Sequence, residues 1–236
     1  MYKESVKAMF SAVRLLFRSP QMLVLMVAVF GGLVVAGYVF VSTREATILQ
    51  LMVTVAVVVA APALFFVLQA AGVSYTSGTT PVRKLGIDAL KLMVVSLPVI
   101  AVTIVAVYGL KRVQSHVTTA TTLRYLLVGV VAPLLAIQLW IAIVKGSRPA
   151  LSKLFAPHSV LVYACGFLVF AVAPYFLLNK TIRIERDWVE FSVFVLRLAV
   201  SATLILLGWV TTIGALAILN CRGGTPWPAA LPNRIR

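Results

Sequence analysis

"ILQLMVTVAVVVAAPALFFVLQAAGV", residues 48–73, contains no charged side chain. It is too long for a buried strand, and its apolar residues are continuous rather than alternating. A helix needs about 17 to 25 such residues to cross the hydrocarbon core of a bilayer. In that core a backbone must satisfy its own N–H and C=O groups, which a single run does only as a helix. The pattern recurs at Met22–Val41, Ile48–Val73, Leu92–Leu110, Leu126–Val144, Val160–Leu178 and Leu198–Leu219, which predicts six transmembrane helices. A β-barrel would need alternating segments of about ten residues instead. The expected fold class is all-α, a polytopic integral membrane protein.

The composition agrees with that reading. Of the 236 residues, 61% are hydrophobic and 11% charged, with a mean hydropathy of +1.05, too little polar surface for a soluble domain. Lys and Arg number 21 against 6 Asp and Glu, a formal charge of +15. In a soluble chain that excess would suggest nucleic acid. In a chain immersed in lipid it fits loops lying against anionic headgroups, so lipid rather than nucleic acid is the expected partner. Cys165 falls inside an apolar run and Cys221 after the last one, at different depths, so no disulfide is expected.

Orientation follows from where the cations fall. One side holds Lys3, Lys7, Arg14, Arg18, Arg83, Lys84, Lys91, Lys145, Arg148, Lys153, Arg222, Arg234 and Arg236. The other holds Arg44, Lys111, Arg112, Arg124, Lys180, Arg183 and Arg186, offset by Glu45, Glu185, Asp187 and Glu190. The positive-inside rule then places both termini in the cytoplasm.

Residues 2–20, "YKESVKAMFSAVRLLFRSP", carry Val6, Met9, Phe10, Val13, Leu16 and Phe17 at helical spacing, with Lys3, Lys7, Arg14 and Arg18 opposite. This predicts an amphipathic helix on the cytoplasmic leaflet, ending where Ser19 caps and Pro20 opens the first span. Mitochondrial presequences share this basic amphipathic character, but here the helix leads straight into a full-length span. The expected location is the cell inner membrane, with the mitochondrial inner membrane as the alternative. Two further basic segments face the same side. In "TTPVRKLGIDALKLM" (79–93), Thr80-Pro81 starts a short helix with Val82, Leu85, Ala89 and Leu92 on one face and Lys84, Asp88 and Lys91 on the other, including a Lys84–Asp88 pair. "GSRPALSKLF" (146–155) repeats the theme with Arg148 and Lys153. Lys3, Lys7, Arg14, Arg18, Arg83, Lys84, Arg148 and Lys153 are thus candidate contacts for anionic headgroups or a protein partner. The tail "NCRGGTPWPAALPNRIR" (220–236) has no periodicity. The expected organisation is an interfacial helix over 1–19, a six-helix transmembrane domain over 20–219 and a flexible cytoplasmic tail over 220–236.

Spans two to five each hold one proline, Pro62, Pro98, Pro133 and Pro174, which predicts kinks. "VVVAAPALF" and "VGVVAPLLA" open equivalent hairpins, suggesting that spans two and three were duplicated as spans four and five. Ala28, Gly32 and Ala36 form a small-residue ladder suited to close helix approach, within the chain or in a homo-oligomer. Arg197, in "DWVEFSVFVLRLAVSATL" (187–204), is expected at the outer boundary of span six, reaching to the headgroups in line with Glu190 and Trp188. The alternative buries it at mid-depth as an anion-binding group.

No acid lies within a span, which weighs against a proton-coupled carrier. His116 and His158 fall on opposite sides and cannot share a metal. No phosphate-binding G-x-x-x-x-G-K-[ST] motif occurs, and no nucleophile is placed with a base. No catalytic residue, cofactor or metal site is therefore expected. Thr54, Ser96, Thr103, Ser201, Thr203, Thr211 and Thr212 read as glue between helices. Gln69 and Gln138 are the costliest polar groups to bury, so with Arg197 they are the candidate substrate contacts or polar path.

The layout, with proline-led basic loops after spans two and four, resembles six-span bacterial inner-membrane proteins of uncharacterised function. "RLLFRSPQMLVLM" (14–26) is similar to the amphipathic lead-in and first span of membrane subunits of type-2 ABC exporters. That family's re-entrant segment between the last two spans has no counterpart here. The leading expectation is a non-catalytic scaffold or accessory subunit of a membrane assembly. The second is a permease for a lipid-like or small substrate, which the exporter resemblance implies would be energised by a separate ATPase.

Overall fold

The structure is a computed structural model that describes residues 2–43, 47–78, 81–112, 117–146, 156–180 and 187–221. All regular structure among these residues is helical. Helix α1 spans Tyr2–Arg18, α2 Pro20–Ser42 and α3 Ile48–Ser74, the last closing in a 3₁₀ turn at Tyr75–Ser77. Helix α4 spans Val82–Arg112. The next span is composite, with α5 (Val117–Leu126), a π-helical turn (Leu127–Val131) and α6 (Ala132–Lys145). The fifth repeats that design as α7 (Pro157–Phe167), a π turn (Leu168–Val172) and α8 (Ala173–Asn179), and α9 runs over Asp187–Cys221.

Six of these units are long and apolar enough to cross a membrane: Pro20–Ser42, Ile48–Ser77, Val82–Arg112, Thr119–Lys145, Pro157–Asn179 and Trp188–Asn220. The chain is a multi-pass helical protein, as the sequence predicts. The end at which α2 starts and α9 finishes is here called proximal, the other distal.

Several boundaries move. The short helix expected after Pro81 is continuous with the third span, giving one helix of 31 residues. No helix breaker separates the two parts, and Pro98 stays within the helix. The sixth span starts near Trp188 rather than Leu198. Ser19 occupies the N-cap of α2 with proline following, but its side chain makes no capping bond. Thr47 does cap α3, accepting from the Gln50 N–H at 3.3 Å.

The core lies in the proximal half. Leu92, Leu134, Ile137, Ile141, Val73, Val162, Ile213 and Leu216 are fully enclosed there. Helix α3 packs against α2, α4, α6 and α9, and α9 in turn packs against α1, α7 and α8. Close approach depends on missing side chains. A Cβ on Gly166 would overlap Thr212, and one on Gly214 would overlap the Tyr75 ring. Distally the helices are bare: Tyr38, Ile48, Met52, Val105, Tyr125, Phe176 and Phe191 are all exposed. Across the most apolar stretch of each span only 11% to 33% of residues are buried in the protein. The remainder is left to lipid or to another chain.

Helix α1 packs along α9, α7 and the 3₁₀ turn. Its buried stripe is Ser5, Ala8, Ala12 and Leu16, the first three small enough to let it lie close. Phe10, Val13 and Phe17, expected on the face turned to the leaflet, are exposed, and Lys3, Lys7, Arg14 and Arg18 form a third, solvent-accessible face. The small-residue ladder of α2 also shifts. Ala36 is buried and Gly32 abuts Leu64 of α3, but Ala28 faces outward, and Met22, Met26 and Val29 complete the seam.

Candidate functional site

Proline 133 has no N–H to offer the Gly129 carbonyl one turn earlier. The Tyr163 hydroxyl on α7 donates to that carbonyl at 2.6 Å, tying spans four and five together. Immediately before the proline, the Ala132 N–H reaches five residues back to Leu127, and the Ala173 N–H does the same to Leu168 ahead of Pro174. The two π turns share a sequence, "LVGVVAP" (127–133) and "LVFAVAP" (168–174). Pro62 and Pro98 instead lie within continuous α-helix. Local geometry thus likens span four to span five, a likeness separate from the hairpin comparison. That heptapeptide was the available signal.

The candidate polar residues are held apart as three rungs along α9. Gln69 is fully buried, and its Oε1 accepts from Trp209 Nε1 at 2.8 Å. Gln138 is buried on α6, and its Oε1 accepts from Asn220 Nδ2. Arg197 donates through Nε to the Leu177 carbonyl at 2.7 Å, and through Nη2 to the Leu177 and Lys180 carbonyls. Successive rungs are about 16 to 18 Å apart along the helix axis. Arg197 therefore turns onto the neighbouring span. It satisfies the last carbonyls of α8, which a helix leaves unpaired, and its charge complements the negative end of that helix's dipole. Helix α9 continues beyond it to Asp187, with Glu190 exposed.

Other polar groups serve similar ends. Trp140 Nε1 donates to Ser96 Oγ at 2.8 Å, Tyr75 Oη to the Val210 carbonyl at 3.4 Å and Lys145 Nζ to the Ala217 carbonyl at 3.3 Å. The threonines expected to join helices do not. Thr103, Thr203, Thr211 and Thr212 each donate to a carbonyl of their own helix, the short-range bond that their side chains favour. Asp88 is a correction of another kind. It lies inward with Leu85, Ala89 and Leu92 rather than outward with Lys84, and is only 4% exposed. Its spacing from Leu85 and Leu92 puts it at the edge of the stripe that packs on α3 and α6.

Lys3, Lys7, Arg14, Arg18, Arg83 and Lys84 are exposed at the proximal end. Arg148 and Lys153, and the tail after Cys221, lie outside the described residues. So does His116, whereas His158 is described, near the start of α7. Among the described residues no group of three or more His, Cys, Asp or Glu is placed to hold a metal ion.

A lateral groove that sequence reasoning missed runs between α4 and α6. Its deeper part, about 400 Å³, is lined by Phe65, Phe66, Ser96, Val99, Thr103, Ala132, Trp140 and Trp209, among others. The second part, about 270 Å³, lies between Pro98, Val102 and Ala106 on one side and Leu127, Val131 and Leu135 on the other. Val99, Thr103 and Ala132 line both. Phe66 and Phe65 meet Trp140 edge-on at 6.3 and 6.1 Å. The wall is built across four spans, which is why no single stretch of sequence announces it.

These features define a class, a polytopic α-helical membrane protein with polar rungs between helices and an apolar lateral groove. No protein-family model, curated protein or solved structure matches this chain.

Proposed function

We propose that this chain is a non-catalytic integral membrane protein, a scaffold or accessory subunit of a membrane assembly. One observation supports it above the others: Gln69, Gln138 and Arg197, the side chains best suited to a polar path, each bond between helices, the glutamines through Oε1. Low burial along the spans leaves wide apolar faces for partner helices. Exposed Lys3, Lys7, Arg14, Arg18, Arg83 and Lys84 give the proximal end a basic collar that suits anionic headgroups or an acidic protein surface. On this reading the proximal end is cytoplasmic, the membrane is the cell inner membrane, and α1 lies at its interface. Phe10, Val13 and Phe17 then dip among the acyl chains while the cations meet the headgroups.

Gentle purification from native membranes, with identification of what accompanies the chain, tests this. Stable protein partners without a nucleotide-binding subunit, released when Arg83 and Lys84 are changed to Glu, are the expected result. A chain that purifies alone from every native membrane would contradict it.

The groove favours a second reading, a permease for a lipid-like substrate. Broken helices flank substrate paths in carriers, and both π turns interrupt spans four and five. The likeness of residues 14–26 to exporter subunits adds to it. A co-purifying ATPase on the basic collar would establish this reading over the first.

A further inference from the structure

We propose that the groove between α4 and α6 is a lipid site, holding one acyl chain of a phospholipid whose anionic phosphate sits on Arg124. The inference goes beyond both functional readings and rests only on the membrane-spanning architecture.

The lining selects hydrocarbon. Trp140 and Trp209 border the groove, but their N–H groups are bonded away to Ser96 and Gln69. The Thr103 hydroxyl is turned onto the Val99 carbonyl. The aromatic rings and aliphatic side chains that remain offer a polar solute little to bond. The two linked volumes, about 400 and 270 Å³, are in the range of ligand sites (roughly 300 to 1,000 Å³). The rim is also bare. Ile100, Ile104 and Val128 are 48%, 59% and 52% exposed, so the groove opens sideways, toward the acyl chains.

Charge sets the orientation of the occupant. Arg124 lies one turn before Leu127, on the helix face that continues into Leu127, Val128 and Val131. Its Nε is buried without a hydrogen-bond partner. A guanidinium suits a phosphate because its donors match two oxygens at once. Lys111 and Arg112 end α4 at the same distal level, and no acid occurs between residues 91 and 112 or 117 and 145. From Leu127 to Trp140 the groove extends about 20 Å along the helix axis. That exceeds half of the ~30 Å hydrocarbon core, so a chain entering from the distal leaflet runs past mid-depth before it meets the aromatic floor.

The two groove tryptophans provide the readout. Full-length protein carrying Trp188→Phe and Trp227→Phe is purified in mild detergent and titrated with phosphatidylglycerol brominated on its acyl chains, and separately with brominated phosphatidylcholine. Quenching of Trp140 and Trp209 is expected to saturate at one lipid per chain, at lower concentration for phosphatidylglycerol. Ala132→Leu, which fills both parts of the groove, should abolish the saturable quenching. Arg124→Gln, at the half-exposed rim and so less prone to disturb folding, should keep the quenching and lose the preference for the anionic lipid. Quenching that grows with lipid without saturating would overturn the proposal, because it marks a bulk annulus. An Arg124→Gln protein that still prefers phosphatidylglycerol would overturn the placement of the phosphate.

Discussion

Gly214 lies where the Tyr75 ring crosses α9, and a methyl group there has nowhere to go. Gly214→Ala should cost about 1 to 3 kcal/mol, the usual penalty for overpacking, read as a lower unfolding temperature in mild detergent. Gly86→Ala on α4 is the control. A Cβ there meets nothing within 4 Å, so the change should be neutral or stabilise by up to about 1 kcal/mol. The Gln69–Trp209 pair calls for a double-mutant cycle. Trp209→Phe removes the donor and strands a buried amide oxygen, whereas adding Gln69→Leu removes the stranded group as well. The coupling should be near 0.6 kcal/mol and at most about 1.7 kcal/mol, the range of hydrogen bonds between membrane helices. A coupling of zero would mean that the amide is not bonded to the indole. The sequence indicated that Gln69 and Gln138 needed partners, since each is costly in lipid, and expected Arg197 to meet headgroups. It could not name those partners, because Trp209, Asn220 and the Leu177 carbonyl come from distant elements.

At the scale of elements, α1 shows what periodicity leaves out. The large apolar residues marked a face for the membrane surface, whereas the contact with the bundle is made by a separate stripe of Ala8, Ala12 and Leu16. In water the largest apolar side chains go inside. Beside a membrane they can face lipid, and small residues take the protein contact because they let helices come close. Ala12→Leu should therefore lift α1 off the bundle, and trypsin should then cut at Arg14 and Arg18 faster than in the parent. Unchanged cleavage would show that α1 does not depend on that stripe. Helix number and type were readable in the sequence because runs this long have one conformation open to them in lipid. Helix ends were less so. The basic segment after Pro81 and the segment before Arg197 fuse into their spans, since nothing in either stops a helix.

For the whole molecule, the packing gradient is the feature that sequence could not reveal. The proximal half is enclosed and cross-linked by hydrogen bonds, while the distal half exposes apolar faces and opens the groove. That gradient arises from which helices meet, and the apolar runs of the sequence do not tell one half from the other. On the proposed reading the chain crosses the membrane six times with its basic proximal end in the cytoplasm. Single cysteines in a background lacking Cys165 and Cys221, probed with a membrane-impermeant maleimide, test it most directly. We predict that cysteines at Arg18, Gly78 and Gly146 label only from the cytoplasmic side, and those at Thr43, Arg112 and Lys180 only from the opposite side. Labelling of both groups from one side would contradict the six-span arrangement, and the inverse pattern would contradict its orientation.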